Sequence, residues 1–330
     1  MKNLLLSSFH AGMVVAMGVT CAAAAEGDTS KLGADKKTVG DTNVSPISGK
    51  IYTLKWLDDF SGESLSMDNW THQTRSSKPQ IFVQRPQNVE VKDGSLHLIV
   101  RKEDQQYTGD IEPWITEDKR VTSDYTAGGI NSKDKQAFQY GRFEIRAKLP
   151  YSYSLWPAFW TMGVKRGWPW GGEIDIAEFV GGTKDGQYRD AEYHSCLHWS
   201  DPAVPNERAW GTNKYIPQDA PDSLWNLTDT KMYHGAQFRL PSYAEGKGEK
   251  LADAWHVYGM EWTDKEIKFY CDDTVFHTVD ITKTSMREAY HQPHYIILNN
   301  HLGGDWPGFP NEKTVLPQEF VIDWVKVWQE

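Results

Sequence analysis

The sequence predicts an all-β domain built as a β-sandwich. From Ile51 onward, short β-branched or aromatic runs alternate with Gly, Asp, Asn and Pro punctuation. Helical periodicity is nearly absent, and 330 residues can enclose one large core. Clear strands are expected at Val89 to Val91, Leu96 to Arg101, Gly141 to Leu149, Trp255 to Trp262, Ile267 to Cys271, Tyr295 to Leu298 and Phe320 to Trp328. The stretch from Asp201 to Leu251 reads as a long, mostly loop-like insertion.

The segment before the domain reads differently. Lys2 precedes a mostly apolar run from Leu4 to Thr20 and then Ala22 to Ala25, so residues 1–25 are expected to be a signal peptide. Lipid attachment at Cys21 would instead give a cell-surface lipoprotein, but Gly18-Val19-Thr20 lacks the leucine such a site carries. A secreted or periplasmic product is expected, and no later apolar run reaches membrane-spanning length. Residues 26–49 are polar and free of aromatics, the composition of a flexible tether, which leaves 50–330 as the folded domain. Cys196 and Cys271 then remain, either bridged or as two buried thiols.

A formal charge of -10 argues against nucleic acid or anionic lipid as partner, since both need clustered Lys and Arg. The excess is aromatic, with 15 Trp and 15 Tyr, and flat rings with a polar edge suit sugar faces. In the strand entering Pro150, alternation sets Phe143, Ile145, Ala147 and Leu149 against Arg142, Glu144, Arg146 and Lys148. The charged face is either solvated or part of a cleft.

The chemistry concentrates in Glu173-Ile174-Asp175-Ile176-Ala177-Glu178. Period-two alternation places Glu173 and Asp175 on one face with Ile174 and Ile176 behind them, and Glu178 breaks the parity. It rejoins the acids only through a β-bulge near Ile176 or Ala177. The two glutamate backbones would stand more than about 10 Å apart, yet their long side chains can converge on one anomeric carbon. That suits double displacement, in which nucleophile and acid are about 5–5.5 Å apart. Asp175 between them would raise the acid's pKa by like-charge repulsion and share a proton.

These residues resemble glycoside hydrolase family 16, in its laminarinase-like branch. The resemblance runs through Trp56-Leu57-Asp58-Asp59-Phe60-Ser61-Gly62, Tyr140 to Pro150, Trp156-Pro157-Ala158-Phe159-Trp160, the Glu-x-Asp-x-x-Glu itself, His256 to Trp262 and Val321 to Val327. It implies a jelly roll with a concave substrate cleft and retaining, endo-acting cleavage of β-linked polysaccharide. In that reading Glu173 is nucleophile, Glu178 acid/base and Asp175 their helper. It further implies that Asn88, Glu144, Arg146, Trp160, Trp168 and His198 contact sugar; Asn299 and His301 are expected to do so as well, where Asn300-His301 departs from the small apolar residues the family usually carries. No cofactor is implied for the chemistry, while a structural calcium would fall near Asp59, Gly94 and Asp323.

The expected substrate is β-1,3-glucan. Asn300, His301 and the aromatic insertion with Trp210, Tyr215, Trp225 and Tyr233 favour the alternative, an endo-β-galactosidase acting on host O-glycans, poly-N-acetyllactosamine or algal galactan. A transglycosylase would keep the same acids, whereas a non-catalytic carbohydrate-binding jelly roll would not need them. The protein is expected to act as a monomer on its glycan.

Overall fold

The computed structural model describes residues 37–74, 76–110, 120–184, 187–205, 214–243 and 247–330. The expected signal peptide with Cys21, and Trp210 of the insertion, lie outside the described residues. Two sheets face each other across one core. Among the described residues, the larger sheet has eleven strands. Its main path runs β19 (Thr274–Asp280), β18 (Glu266–Cys271), β17 (His256–Trp262), β9 (Gly141–Lys148), β21 (Gln318–Gln329), β6 (Ser95–Asp110), β7 (Arg120–Ala127) and β4 (Gln80–Phe82). Strands β1 (Thr42–Val44) and β2 (Ile51–Asp58) attach beside β21, and β5 (Val89–Lys92) beside β6.

The smaller sheet has eight described strands, in the order β15 (Lys214–Tyr215), β16 (Lys231–Arg239), β14 (Glu192–Ser200), β11 (Glu173–Phe179), β10 (Leu155–Gly163), β20 (His294–Leu302), β8 (Gly129–Asn131) and β3 (Thr71–His72). A two-strand ribbon, β12 (Thr183–Lys184) with β13 (Gln187–Tyr188), follows β11 in the chain. Helix is confined to short segments, chiefly the four-residue turns α1 (Asp222–Trp225) and α2 (Arg287–Tyr290). This is a β-jelly roll, and every strand expected from the sequence is present.

The core forms because alternation sends one face of each sheet inward. Phe143, Ile145 and Ala147 of β9 meet Ile174 and Ile176 of β11, Leu197 of β14 and Leu298 of β20 in one buried cluster. Each such side chain contributes about 1.5–3 kcal/mol. Truncating Ile174, which is wholly buried, to Ala would cost about 2–5 kcal/mol.

Two expectations about the chain's organisation need correction. The expected tether, 26–49, overlaps described residues that are part of the sheet: Thr42, Asn43 and Val44 pair with Thr53, Tyr52 and Ile51. Buried Ser45 donates its hydroxyl to Glu261 over 2.5 Å. Backbone pairing and a buried hydrogen bond order this segment without apolar burial, which is why its composition misled. The supposed loop-like insertion holds β16, which pairs with β14 along its whole length and adds Met232 and Phe238 to the core. Gly235 and the polar residues around it hide that alternation in the sequence.

Candidate active site

The chain enters β11 through Gly172, whose φ is 77° and whose absent Cβ would stand 2.8 Å from Ala289. Only glycine suits that position. Along β11, Met162, Thr161 and Trp160 pair with Glu173, Ile174 and Asp175, and then Phe159 pairs with Ala177. Ile176 is the extra residue, and the register with β14 also shifts between Asp175 and Glu178. The bulge that parity demanded is therefore present. Ile174, Ile176, Ala177 and Phe179 all pack into the core. Glu178 returns to the face of Glu173 and Asp175, where its charge acts on both.

Directly paired residues share a face of the sheet, so the register names the neighbours. Across from Glu173, Asp175 and Glu178 on β14 stand His198, Cys196 and His194. Beyond them on β16 are Tyr233, Gly235 and Gln237, with Lys231 opposite Ser200. On the other side lie Trp156, Ala158 and Trp160 of β10, and then His301, Asn299 and Ile297 of β20.

Burial is the first cause of every carboxyl shift here. It pushes Glu178 up to about 7, against a 2.9 Å hydrogen bond donated by the Trp156 indole to Glu178 Oε1. Asp175 is raised well above its usual range by burial and then by the charges of Glu173 and Glu178, and it hydrogen-bonds Glu173. Burial and then the Glu178 charge raise Glu173 to about 8, while Asp175, the Trp168 indole and Lys231 oppose the rise. Three carboxyls this close titrate together. With Asp175 and Glu178 holding protons, the Glu178 charge that raises Glu173 is gone. Glu173 keeps three charge-stabilising partners, Asp175, the Trp168 indole and Lys231, where Glu178 has the Trp156 indole. His198 lies 3.6 Å from Asp175 Oδ2 and 4.0 Å from Glu173 Oε1, and burial, then Lys231, lowers its pKa to about 4. It is neutral and stacks on Tyr233.

The remaining expected sugar contacts divide. Trp160 lies on this face with its indole bonded to Asn299 Oδ1 at 2.7 Å, and Trp168 sits beneath the Lys231 ammonium at 4.7 Å. His301 is on the face too, tied to Gln80 at 2.9 Å and edge-on to Trp156. Asn300 points into the core and bonds the Leu98 and Gln318 carbonyls, so it offers no hydroxyl contact.

Glu144 and Arg146 belong elsewhere. They face outward from β9 in the larger sheet, across the core from the acids. Glu144 accepts hydrogen bonds from Arg142, Tyr270 and Trp328, and Arg146 pairs with Asp323 at 2.6 Å. Alternation identified the charged face correctly but could not say which sheet would own it. Asn88 is fully buried, with both amide hydrogens donated to Ile99 O and Thr126 Oγ1 and its oxygen taken by Arg85, so it is structural.

The calcium residues fit an ion poorly. Asp323 is engaged by Arg146 and Asp59 Oδ1 by Ser61, while Gly94 occupies a positive-φ position between β5 and β6. Cys196 and Cys271 are both free and buried, so they do not bridge.

Several residues of the site went unassigned in the sequence. Trp156 shares parity with Trp160, and that spacing was legible. Lys231 was hidden in the supposed loop. Trp306 and Arg189 come from connecting segments: Trp306 packs against Trp156 and His194, and Arg189 donates to the Trp306 carbonyl.

Residues 55–330 match the family model described as "Beta-porphyranase A-D, GH16 domain". The chain belongs to glycoside hydrolase family 16. Its domain is that of an endo-acting glycoside hydrolase. A glucan endo-1,3-β-glucosidase A1 of Niallia circulans is 25% identical over 89% of this chain, which spans only 40% of that relative. A keratan-sulfate endo-1,4-β-galactosidase of Sphingobacterium multivorum is 25% identical over 92% of this chain and 60% of its own length. The solved endo-β-1,3-glucanase of Pyrococcus furiosus superposes with a TM-score of 0.64 at 27% identity, covering 86% of this chain and 96% of that one. Among the described residues, no helix of this family 16 chain is long and apolar enough to cross a membrane.

Proposed function

We propose that this chain hydrolyses internal β-linkages with retention of anomeric configuration, using Glu173 as nucleophile and Glu178 as acid/base. The observation that carries the reading is the bulge at Ile176, which returns Glu178 to the face of Glu173 and Asp175. Glu178, protonated up to about 7, gives its proton to the leaving glycosidic oxygen as Glu173 bonds to the anomeric carbon. Asp175 donates a hydrogen bond that holds the charge on Glu173 before attack. Glu178, now ionised, then takes a proton from water as that water displaces Glu173. The Trp156 N–H steadies the carboxylate during this half-reaction.

For substrate, we favour a β-linked galactan bearing anionic groups. Lys231 stands on the Glu173 side, and Arg189 on the side of His194, which pairs opposite Glu178. Two cations flanking the acids suit an anionic chain better than a neutral glucan. The β-porphyranase description of the matched domain and the keratan-sulfate relative support this. The second reading is β-1,3-glucan, which the glucanase relatives favour.

The test is digestion of laminarin, mixed-linkage glucan, porphyran, agarose and keratan sulfate. Products are sized by mass spectrometry, and the first-formed anomer is read by proton NMR. Oligosaccharide ladders of the retained anomer are expected. Monosaccharide alone from the start would refute endo action, and an inverted anomer would refute the mechanism. Laminarin cleavage without galactan cleavage would refute the substrate, and transfer products in place of new reducing ends would identify a transglycosylase.

A further inference from the structure

Cys196 has no part in the hydrolysis proposed above, yet it stands on β14 directly opposite Asp175, on the face that carries the acids. One ligand atom each from Asp175, Cys196 and His198 lies within 4.8 Å of the others. The His198 Nε2 is 3.4 Å from Cys196 Sγ and 3.6 Å from Asp175 Oδ2. In a tetrahedral shell with metal–nitrogen and metal–oxygen distances near 2.0–2.1 Å and metal–sulfur near 2.3 Å, adjacent ligand atoms are separated by roughly 3.3–3.6 Å. The two measured edges already match that spacing.

A second observation points the same way. Asp175 is 3% exposed, and its Oδ2 has no hydrogen-bond partner among the described residues. A buried oxygen in that state is costly unless something occupies its lone pairs for part of the time. His198 retains about a fifth of its side-chain exposure, so the cluster borders the cleft through its imidazole. Its ring is neutral, as a ligand must be.

We propose that Asp175, Cys196 and His198 form a site for a divalent cation with affinity for sulfur, such as Zn²⁺ or Cd²⁺, whose binding inhibits the enzyme. The imidazole, thiolate and carboxylate make up three corners of a tetrahedron, and water or Glu173 Oε1, 4.0 Å from His198 Nε2, supplies the fourth. The thiol and the protonated Asp175 carboxyl each release a proton to solvent as their bonds to the metal form. Hard cations such as Mg²⁺ and Ca²⁺, which prefer oxygen, are poor occupants. Inhibition follows because the ion takes Asp175 away from Glu173 and competes for the nucleophile's charge. That part rests on the catalytic roles proposed above, whereas the binding does not.

The experiment titrates the enzyme with Cd²⁺ and follows the ultraviolet thiolate-to-metal charge-transfer band, with Zn²⁺ inhibition measured in parallel. Cys196→Ala, Cys196→Ser and Cys271→Ala are the comparisons, because His256, Cys271 and Asp272 form a second donor group elsewhere. The expected result is one saturable band that disappears in both Cys196 variants and survives in Cys271→Ala. Zn²⁺ inhibition should be reversed by chelator and weakened at least about tenfold in Cys196→Ala, whose metal-free activity stays near that of the parent. A band that persists without Cys196, or Zn²⁺ inhibition equal in parent and Cys196→Ala, overturns the site. A band without inhibition leaves the site standing and counts against the role of Asp175. Folding of each variant is checked by circular dichroism, and Cys196→Ser serves if the alanine variant does not fold.

Discussion

Replacing Trp156 by Phe removes one hydrogen-bond donor from Glu178 and leaves an aromatic plane in place. The Trp156 indole N–H lies 2.9 Å from Glu178 Oε1 and stabilises only the ionised carboxylate. A charge-assisted hydrogen bond contributes about 1.5–3 kcal/mol, and the partly exposed position of both side chains argues for the lower end. At 1.36 kcal/mol per unit, losing it should raise the Glu178 pKa by about one unit from its present value of about 7. Glu178 must be protonated to act as the acid, so the alkaline limb of the kcat/KM profile should move upward by about one pH unit. The assay is a pH–rate series on a soluble oligosaccharide at substrate concentrations well below KM. An alkaline limb that stays in place, or moves down, would refute the assignment of Glu178 as the acid.

Glu178→Gln should lower kcat about 10²–10⁴-fold, and Glu173→Gln should abolish turnover, both with native circular dichroism. Asp175→Asn should be milder and shift the acidic limb of the profile, read in the same series. Glu178, raised above its unfolded value of 4.5, favours the fold most below that pH and loses this contribution as pH rises through about 7. The parent's Tm should therefore fall between pH 5 and 8 by thermal melts, and Glu178→Gln should flatten the decline. Glu144→Ala should lower stability by about 3–5 kcal/mol in denaturant melts, because Arg142 loses its buried partner. The kcat/KM of its folded fraction should be unchanged, since Glu144 lies on the far side of the sandwich.

What the sequence made legible follows from which physical rules are local. Parity along six residues was enough to require a bulge at Ile176 or Ala177, because a side chain's face depends only on its own strand. The same rule sorted Phe143, Ile145 and Ala147 from Glu144 and Arg146. Ownership of a face is a different matter. Whether the charged side of β9 meets the acids or looks away from them depends on which of two sheets β9 joins, and that is set by pairings such as Arg142 with Trp328, 186 positions along the chain. Pairing at such separation leaves no mark in a single strand, and so Glu144 and Arg146 were assigned to the wrong side.

The same distinction explains Asn300 and Lys231. Asn299 and His301 share the cleft face with Trp160 and Trp156 by register, so parity alone turns Asn300 inward to the Leu98 and Gln318 carbonyls. Lys231 needed more than parity. Its strand follows a glycine- and proline-punctuated stretch and contains Gly235, so it resembles loop until β14 supplies nine partners for it. That strand brings Tyr233 against His198 and the ammonium of Lys231 toward Glu173. The nucleophile's charge therefore depends in part on the segment whose secondary structure was hardest to see, and Lys231→Met should raise the pKa on the acidic limb of kcat/KM. An unchanged acidic limb in that variant would mean that Asp175 and Trp168 hold the Glu173 charge without it.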